Sequence, residues 1–426
     1  MATVIQAYRF ALDPTSQQRR SLASHTGAAR FAYNWGLELV ITGLAQRRGG
    51  EDVEVPWTLQ ELRREWNRAK DHVAPWWAEN SKESYSSGLD GLARALRNWC
   101  DSRKGRRKGR PVGFPRFKRK GRARDACRFT TGTIRVLPDR KHIQLPRIGR
   151  LKTHESTRKL ARRVEQGTAH ILAATISRTA DRWFVSFTVE VDRRLPTGNS
   201  RSSVVGVDVG VRHLAILSNG EPPVPNPRAL EMSLRKLRRL NRRLARCNPD
   251  SRRRRVTRRQ LSRVHARVAN LRRDALHKLT TTLAAEHGTI VVEHLNVAGM
   301  VRNRHLARAL SDTGMAEFRR QLAYKTTWYG SRLVVADRFY PSSKTCSTCG
   351  WVRAKLTLAE RAFICEACGS RLDRDLNAAR NLAKLAQHVA QSGWETRNAR
   401  GADHRTQPAG QVAMKRVPSS PVLQRA

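Results

Sequence analysis

The chain has 426 residues and a mass of 48.3 kDa, enough for two to four packed units, and at 39% hydrophobic it carries the material for a real core. Its 83 Lys and Arg stand against 35 Asp and Glu, a formal charge of +48; self-repulsion on that scale calls for a polyanionic partner, so nucleic acid is expected and freestanding small-molecule metabolism is disfavoured. No run approaches the roughly 18 apolar residues of a membrane span, the first residues lack the basic start and apolar stretch of a signal peptide, and seven clustered cysteines suit a reducing compartment, so a cytoplasmic protein with no membrane partner is expected.

In chain order, Thr3 to Phe10 alternates apolar and polar residues and predicts a strand. Asp13-Pro14-Thr15 breaks it and caps a helix from about Ser16. From there to about Cys100 the pattern is helical and rich in Trp (Trp35, Trp57, Trp66, Trp76, Trp77, Trp99), by default core residues, with base stacking as the rival role. A basic linker, Arg103 to Arg110, leads to Gly113-Phe114-Pro115-Arg116-Phe117-Lys118. There, aromatic rings interleaved with cations suit a segment lying along a sugar-phosphate backbone. Between Cys127 and Val191 short period-two runs (133–136, 142–145, 170–177, 183–189) predict a small β-barrel, closed off near Arg193 to Ser200.

The second half opens with predicted strands at Val204–Val209 and Leu214–Leu217 and a stiff connector at 222–227. Two long helices follow, with apolar stripes Leu234, Leu237, Leu240, Leu244 and Leu261, Val264, Val268, Leu271, turning at 248–251. Between Arg235 and Arg273 there are 17 Lys or Arg and one acid, Asp250, which favours a phosphate-facing surface over an ordinary solvated face of mixed charge. A strand at Thr289–Val292 ends on Glu293, another runs Arg332–Ala336, and a helix spans Asn377 to Val389; the tail 391–426 is expected to be disordered.

Cys346-x2-Cys349 and Cys365-x2-Cys368 are separated by 15 residues, and Gly350 and Gly369 follow the pairs where a knuckle needs a permissive backbone. Four thiolates in this spacing predict one structural Zn²⁺, against the rival readings of a redox pair or disulfides. Cys100, Cys127 and Cys247 read as ordinary thiols.

Acids are scarce, so their placement is informative. Asp208 lies in the apolar run VVGVDVG, where an unpaired carboxylate is costly, Glu293 ends TIVVE, and Asp373 and Asp375 start a helix. For each alone a salt bridge or a helix cap is the simpler role, and Asp373 in particular suits a cap. Together, acids on two strands and one helix form an oxygen-ligand set for Mg²⁺, two of which can flank a scissile phosphate. No P-loop or Ser-His-Asp arrangement competes, and GxDxG at Gly206–Gly210 reads as a nuclease strand.

GVDVGVRHLAIL, IVVEHLNVAGM, YPSSKTCSTCG and CGSRLDRDLNAARN resemble, in order, the RuvC motifs and zinc ribbon of the transposon-encoded TnpB (OrfB) proteins and of the compact type V CRISPR effectors. GFPRFKRKG and ATISRTADRWFVSFTVE resemble the wedge region of the same family. The resemblance implies a multidomain α+β protein: a wedge β-barrel (1–15 and 113–195), a helical recognition region with basic linker (16–112), an RNase H-like RuvC nuclease (200–345 and 370–390) and a zinc ribbon (346–369). It implies an RNA-guided DNA endonuclease, with guide RNA and target DNA as partners, Mg²⁺ held by Asp208, Glu293 and Asp375, and Zn²⁺ held by Cys346, Cys349, Cys365 and Cys368. Asp375 rather than Asp373 matches the third motif because it precedes x-Asn. His294 departs from the family, which often has an acid there, and is expected to tune the site without abolishing cleavage. The alternatives are a guided DNA-binding repressor or scaffold without efficient cleavage and, last, a directly acting transposase, for which no His-hydrophobe-His with a Tyr nucleophile is present.

Overall fold

Alternation at the start of the chain becomes strand β1 (Ala2–Ala11) in the computed structural model, which describes residues 2–107, 109–193, 203–357 and 359–392. Helix α1 (Ser16–Arg48) follows at the expected place: Thr15 is its N-cap, and Gln18 completes a reciprocal capping box by accepting from the Thr15 N–H at 2.9 Å. The tail expected to be disordered from 391 is helical at its first two residues, Gln391 and Ser392; the rest of it, and most of the predicted boundary at Arg193 to Ser200, lie outside the described residues.

The chain divides into two units, Met1–Leu195 with Ser233–Val268, and Pro196–Met232 with Ala269–Ala426. In the first, α1 packs with α2 (Leu59–Val73) and α3 (Lys82–Arg103) around a core that includes Leu37, Leu62, Trp66, Tyr85, Leu89 and Leu92. Gly88 permits the close crossing: a Cβ there would stand 2.1 Å from the Ala29 carbonyl oxygen. The tryptophans are mostly core residues, as expected. Trp66 is buried, and Trp35, Trp57 and Trp77 pack against the same cluster, while Trp76 is exposed at one edge. The basic segment after α3 divides its roles. Phe114 joins the helical core edge-on to Trp99, with ring centroids 5.0 Å apart, so it is an anchor and not a surface for bases; Phe117 is exposed. Lys118 is fastened through paired backbone bonds with Asn34 and lies 3.6 Å over the Tyr33 ring.

The expected barrel is not seen. Strands β2 (Ala126–Phe129), β6 (Ala169–Thr179) and β7 (Arg182–Arg193) join β1 in an open sheet of order β1-β7-β6-β2. Strands β3 (Arg135–Val136), β4 (His142–Leu145) and β5 (Gly149–Lys152) form a separate meander. Among the described residues, the bridge Leu12↔Thr153, flanking backbone bonds and a Lys152–Asp13 ion pair link the two, and the ladder stops at Pro14, which has no N–H to carry it onward. The segment between β5 and β6 coils into a helix absent from the sequence reading, α4 (Arg158–Glu165), whose Leu160 and Ala161 are buried.

In the second unit, β8 (Val204–Asp208) and β9 (His213–Leu217) follow the predicted strands, and β10 (Val224–Pro225) pairs with β9. The basic hairpin is α5 (Ala229–Ala245) and α6 (Arg252–Glu286). Its tip, Ser233–Val268, clusters with the first unit, where Arg263 Nε donates to Asp181 at 2.8 Å. The stripe of α6 runs through Val264 and Val268 but then turns to Leu276, Leu279 and Leu283, leaving the predicted Leu271 44% exposed: over this length the 3.6-residue period drifts away from a fixed spacing.

Strand β11 (Thr289–Val292), helices α7 (Val297–Met300), α8 (Ala307–Thr313) and α9 (Met315–Tyr329), and strand β12 (Arg332–Val335) complete a mixed sheet. Its order is β10-β9-β8-β11-β12, with β8, β11 and β12 parallel and β9 antiparallel to β8. Residues from α6 and α9 cover one face, against Val205, Val207, Ile290 and Val292. A short hairpin, β13 (Ala362–Ile364) with β14 (Arg371–Asp373), leads into α10 (Arg374–Ser392), which covers the other face against Val291 and Val334.

Gly206 sets how closely α10 lies on β8. A Cβ there would stand 2.0 Å from the Ala379 carbonyl oxygen and 2.6 Å from the Ala383 nitrogen, both backbone atoms that cannot swing aside. Gly206→Ala is therefore expected to cost about 3 kcal/mol or more and to lift the start of α10 from the strand. Thermal unfolding of the variant beside wild type checks this, and an unchanged midpoint would refute it.

The α6–α9 contact holds a buried cation. Lys325 Nζ donates to the His277 carbonyl, Thr280 Oγ1 and Thr281 Oγ1, each at 2.7 Å, and burial pushes its amine down to about 8 from an ordinary 10.5. Between those two values the unfolded chain binds more protons than the folded one, so this group makes stability rise with pH across that window. Urea unfolding of wild type and Lys325→Met from roughly pH 7 to roughly pH 10 should diverge accordingly, the variant losing the rise.

Candidate functional site

Three acids from distant segments reach one edge of the second unit's sheet. Val207, Val292 and Val335 are in register across β8, β11 and β12, so Asp208, Glu293 and Ala336 come next, side by side at the ends of three parallel strands. Period-two alternation puts Asp208 on the same face as Gly206, the face that α10 covers. The start of α10 then brings Asp375 to the same edge.

The electrostatics record the convergence. The Asp208 carboxyl is held well above the usual carboxylate range, first by burial, then by the negative charges of Glu293 and Asp375. Arg374 opposes this, and Asp373 adds to it more weakly. A carboxylate in this position has too few positive neighbours for the charge around it. Oxygen donors of this kind suit a hard divalent cation such as Mg²⁺, although the three carboxylates are not gathered within 4.8 Å of one another as the four cysteines are.

The other two acids are held by protein partners. Ser342, itself buried, donates to Glu293 Oε1. Arg374 lies 3.2 Å from Asp375 Oδ1, and also donates to the Glu360 carbonyl. Asp373 does what its position suggested: its Oδ1 accepts from the Asp375 N–H at 2.9 Å and the Leu376 N–H at 3.1 Å, capping α10. His294, the departure from the family pattern, is exposed beside Glu293.

The cysteines come together as well. The ligand atoms of Cys346, Cys349, Cys365 and Cys368 all lie within 4.8 Å of one another, the one such set among the described residues. The knuckles are built as their spacing predicts: Gly350 N–H donates to the Cys346 carbonyl and Gly369 N–H to that of Cys365, both at 2.9 Å, with the two glycines at φ +83° and +71°. Burial resists ionisation of Cys346, but backbone N–H groups of Cys349 and Thr348 outweigh it and bring the thiol down to about 6. At Cys368 a backbone bond from Ser370 favours the thiolate, yet the three neighbouring sulfurs win and push it up to about 12. Four sulfurs that cannot all ionise next to one another are suited to one Zn²⁺, and such a shell has no open position. By contrast, Cys127 is isolated and buried, its thiol pushed up to about 12, as an inert core residue should be.

Sequence reasoning missed the residues that join these two centres. On α10, Asn377 Nδ2 donates to the Thr345 carbonyl at 2.7 Å while its Oδ1 accepts from Ser347 N–H at 2.8 Å. Asn381 Nδ2 reaches the Ser342 and Thr345 carbonyls, and Lys384 Nζ the Ser347 carbonyl. One helix face thus pins the loop that carries both Ser342 and the first zinc knuckle. The only signal in the sequence is two asparagines four residues apart, polar residues where an apolar stripe was due.

Family models match three stretches: one described as "Probable transposase" over residues 186–304, a "Cas12f1-like, TNB domain" over 316–382, and a "Helix-turn-helix domain" over 1–49. The last falls on β1 and the single helix α1, where no helical turn intervenes. A protein of Mycobacterium tuberculosis (strain CDC 1551) is 44% identical over 435 residues, covering 95% of this chain and 92% of its own; one of Streptomyces pristinaespiralis is 34% identical over 398 residues, covering 92% and 91%. Both are named "Putative RNA-guided DNA endonuclease". Among solved structures, a cryo-EM complex of Cas12f1 with sgRNA and target DNA aligns over 89% of this chain and 99% of its own, at 12% identity and a TM-score of 0.48. With 44% identity sustained along nearly the whole of both chains, and with the family's own models on its first helix and on strands β8 to β11, this chain belongs to the TnpB (OrfB) family.

Proposed function

We propose that the protein is an RNA-guided DNA endonuclease that hydrolyses a phosphodiester of target DNA with Mg²⁺ bound by Asp208, Glu293 and Asp375. The observation that carries this is the convergence of three acids from two strands and a helix at one sheet edge, with Asp208 left short of positive charge. The strand order of that sheet, numbered within itself, is 3-2-1-4-5 with the second strand antiparallel, which supports an RNase H-like reading of the second unit. The names of the relatives and the charge of +48 support guide RNA and target DNA as the partners, held chiefly through backbone phosphates while guide–target pairing supplies sequence choice. Free thiols at a zinc set suit a reducing cytoplasm.

The chain's own contributions can be assigned. Asp208 supplies the charge that most needs a cation, Ser342 orients Glu293, and Arg374 orients Asp375 at the positive end of α10. Bound Mg²⁺ would lower the pKa of a water nucleophile and offset charge on the leaving oxygen. The four-cysteine zinc set is structural, holding the loop between Glu293's partner and α10. Among the described residues, no helix is long and apolar enough to cross a membrane.

The test begins with sequencing the RNA that co-purifies from the native host. The protein is then loaded with that RNA, re-targeted to a chosen plasmid site. Mg²⁺-dependent cutting at that site is expected. Occupancy of the site without scission would turn the protein into a guided binder, and co-purification of random RNA fragments alone would remove the guided reading.

A further inference from the structure

Phe339 is 84% exposed, the highest value among the exposed large apolar side chains of the described residues. A lone exposed apolar residue is ordinary on a surface; its surroundings make this one unusual. Phe339 lies in the loop that leaves β12, three residues beyond Ala336, which is in register with Asp208 and Glu293 at the same sheet edge. The loop is held at both ends. Phe339 N–H donates to Asp337 Oδ1 at 2.9 Å, the Tyr340 hydroxyl donates to the Asn381 carbonyl at 3.1 Å, and Ser342, three residues on, donates to Glu293. Three residues of chain span at most roughly 11 Å, so the backbone of Phe339 lies within that distance of Ser342, the residue bonded to Glu293, with its ring out in solvent. Arg338, also exposed, has its guanidinium 5.7 Å from the ring centroid.

A cavity lies on the opposite side of the acids. Strand β9 begins at the same edge, and Arg212 and His213 line a cavity of about 390 Å³ together with the acids Glu221 and Asp373. An apolar ring with a cation stands on one side of the acids, and a cavity of mixed charge on the other. A strand crossing the ends of β9, β8, β11 and β12 in turn would meet the cavity, the acids and the ring in that order.

We propose that Phe339 is a positioning residue, a stacking platform for a nucleobase of the strand being cut, with Arg338 beside it for the adjoining phosphate. This rests on the nuclease reading above. Base stacking on an aromatic side chain is sequence-tolerant, which suits an enzyme whose sequence choice lies in its guide, and it fixes the strand without touching the reacting atoms. The loop's bonds to Asn381 and Glu293 keep the platform rigid relative to the acids, so the ring sets which phosphate faces them.

The test uses the full chain with its guide and a matched duplex carrying 2-aminopurine at each nucleotide flanking the cut in turn. Fluorescence is read with Ca²⁺ in place of Mg²⁺ to hold the strand whole, and cutting is read with Mg²⁺. Phe339→Ala should slow cutting by roughly 5- to 150-fold at saturating target and abolish 2-aminopurine quenching at one position. Phe339→Trp should keep both, and neither variant should change the unfolding midpoint or guided target binding. If wild type cuts and Phe339→Ala cuts and quenches equally, this inference falls and the nuclease reading stands. A lowered midpoint in Phe339→Ala would make the ring a fold element and also overturn it. If wild type cuts no guide-matched DNA, the nuclease reading falls and takes the inference with it.

Discussion

Asp208→Asn is expected to abolish DNA cleavage, by about 10³-fold or more, while leaving the protein more resistant to heat in metal-free buffer. Both effects come from one cause. The carboxylate is half-buried at the end of β8 and faces the charges of Glu293 and Asp375, so its ionised form is strained in the folded chain and its pKa stands well above the ordinary value. An amide of the same shape removes that repulsion, which stabilises the fold, and removes the charge that would hold Mg²⁺, which forfeits several kcal/mol of transition-state stabilisation. Paired assays decide it: cutting of a guide-matched plasmid, and thermal unfolding in EDTA. Loss of cutting with a lowered midpoint would mean that Asp208 is a structural partner; retained cutting would remove it from the reaction. Glu293→Gln should also stop cutting, but with a smaller gain in stability, because Ser342 already satisfies one of its oxygens.

Removing zinc should have the second large effect, and it acts through the fold. The purified chain is expected to carry one Zn²⁺, whose binding contributes on the order of 10 kcal/mol to local folding. Apart from the metal, the ribbon has little to hold it: one short hairpin and a core of Phe363 with Cys346 and Cys365, flanked by Trp351 and Leu356. Cys349 and Cys368 are exposed, so a strong chelator has access. Chelation, or Cys365→Ala, should release hydrogen-exchange protection over the ribbon and then over residues 342–347, whose carbonyls are pinned to Asn377, Asn381 and Lys384. Cutting should fall with it, since Ser342 in that loop orients Glu293. The sheet core around Val205, Val207 and Ile290 should stay protected. A chain that is free of zinc yet protected across the ribbon would refute the assignment.

Much of the site could be read from local spacing. The two Cys-x2-Cys pairs with a glycine after each are self-sufficient, because a knuckle is closed by bonds within five residues, and the structure closes both. Thr15 as a cap, Asp373 as a cap and the strands that carry Asp208 and lead to Glu293 were legible for the same reason, though the sequence pattern carries the first strand one residue too far, to Val209: each is decided within one turn or one strand. Where the pattern extended over longer distances, reading failed. The β-strand runs of the first half were visible, but their closure into a barrel was not theirs to decide, since Pro14 ends the ladder and α4 takes up the chain between β5 and β6. Phe114 and Phe117 look alike in a basic segment, and only packing against Trp99 separates a core anchor from an exposed ring.

By itself, then, the sequence determined the side chains available to this protein: four cysteines in two knuckle pairs, scarce acids in a chain of charge +48, and the elements that carry them. Tertiary structure alone decided that the acids share one edge. It did so through the in-register ends of β8 and β11, and through Gly206, whose missing Cβ lets α10 lie against the strand and bring Asp375 to Asp208. It also decided that Asn377 and Asn381 tie the zinc loop to the acid site and that Phe339 stands out beside it. The physical reason is range: hydrogen bonds and side-chain periods act over a few residues and leave their mark in spacing. The approach of a helix to a sheet depends on atoms far apart in the chain, and the sequence records it only as a single glycine.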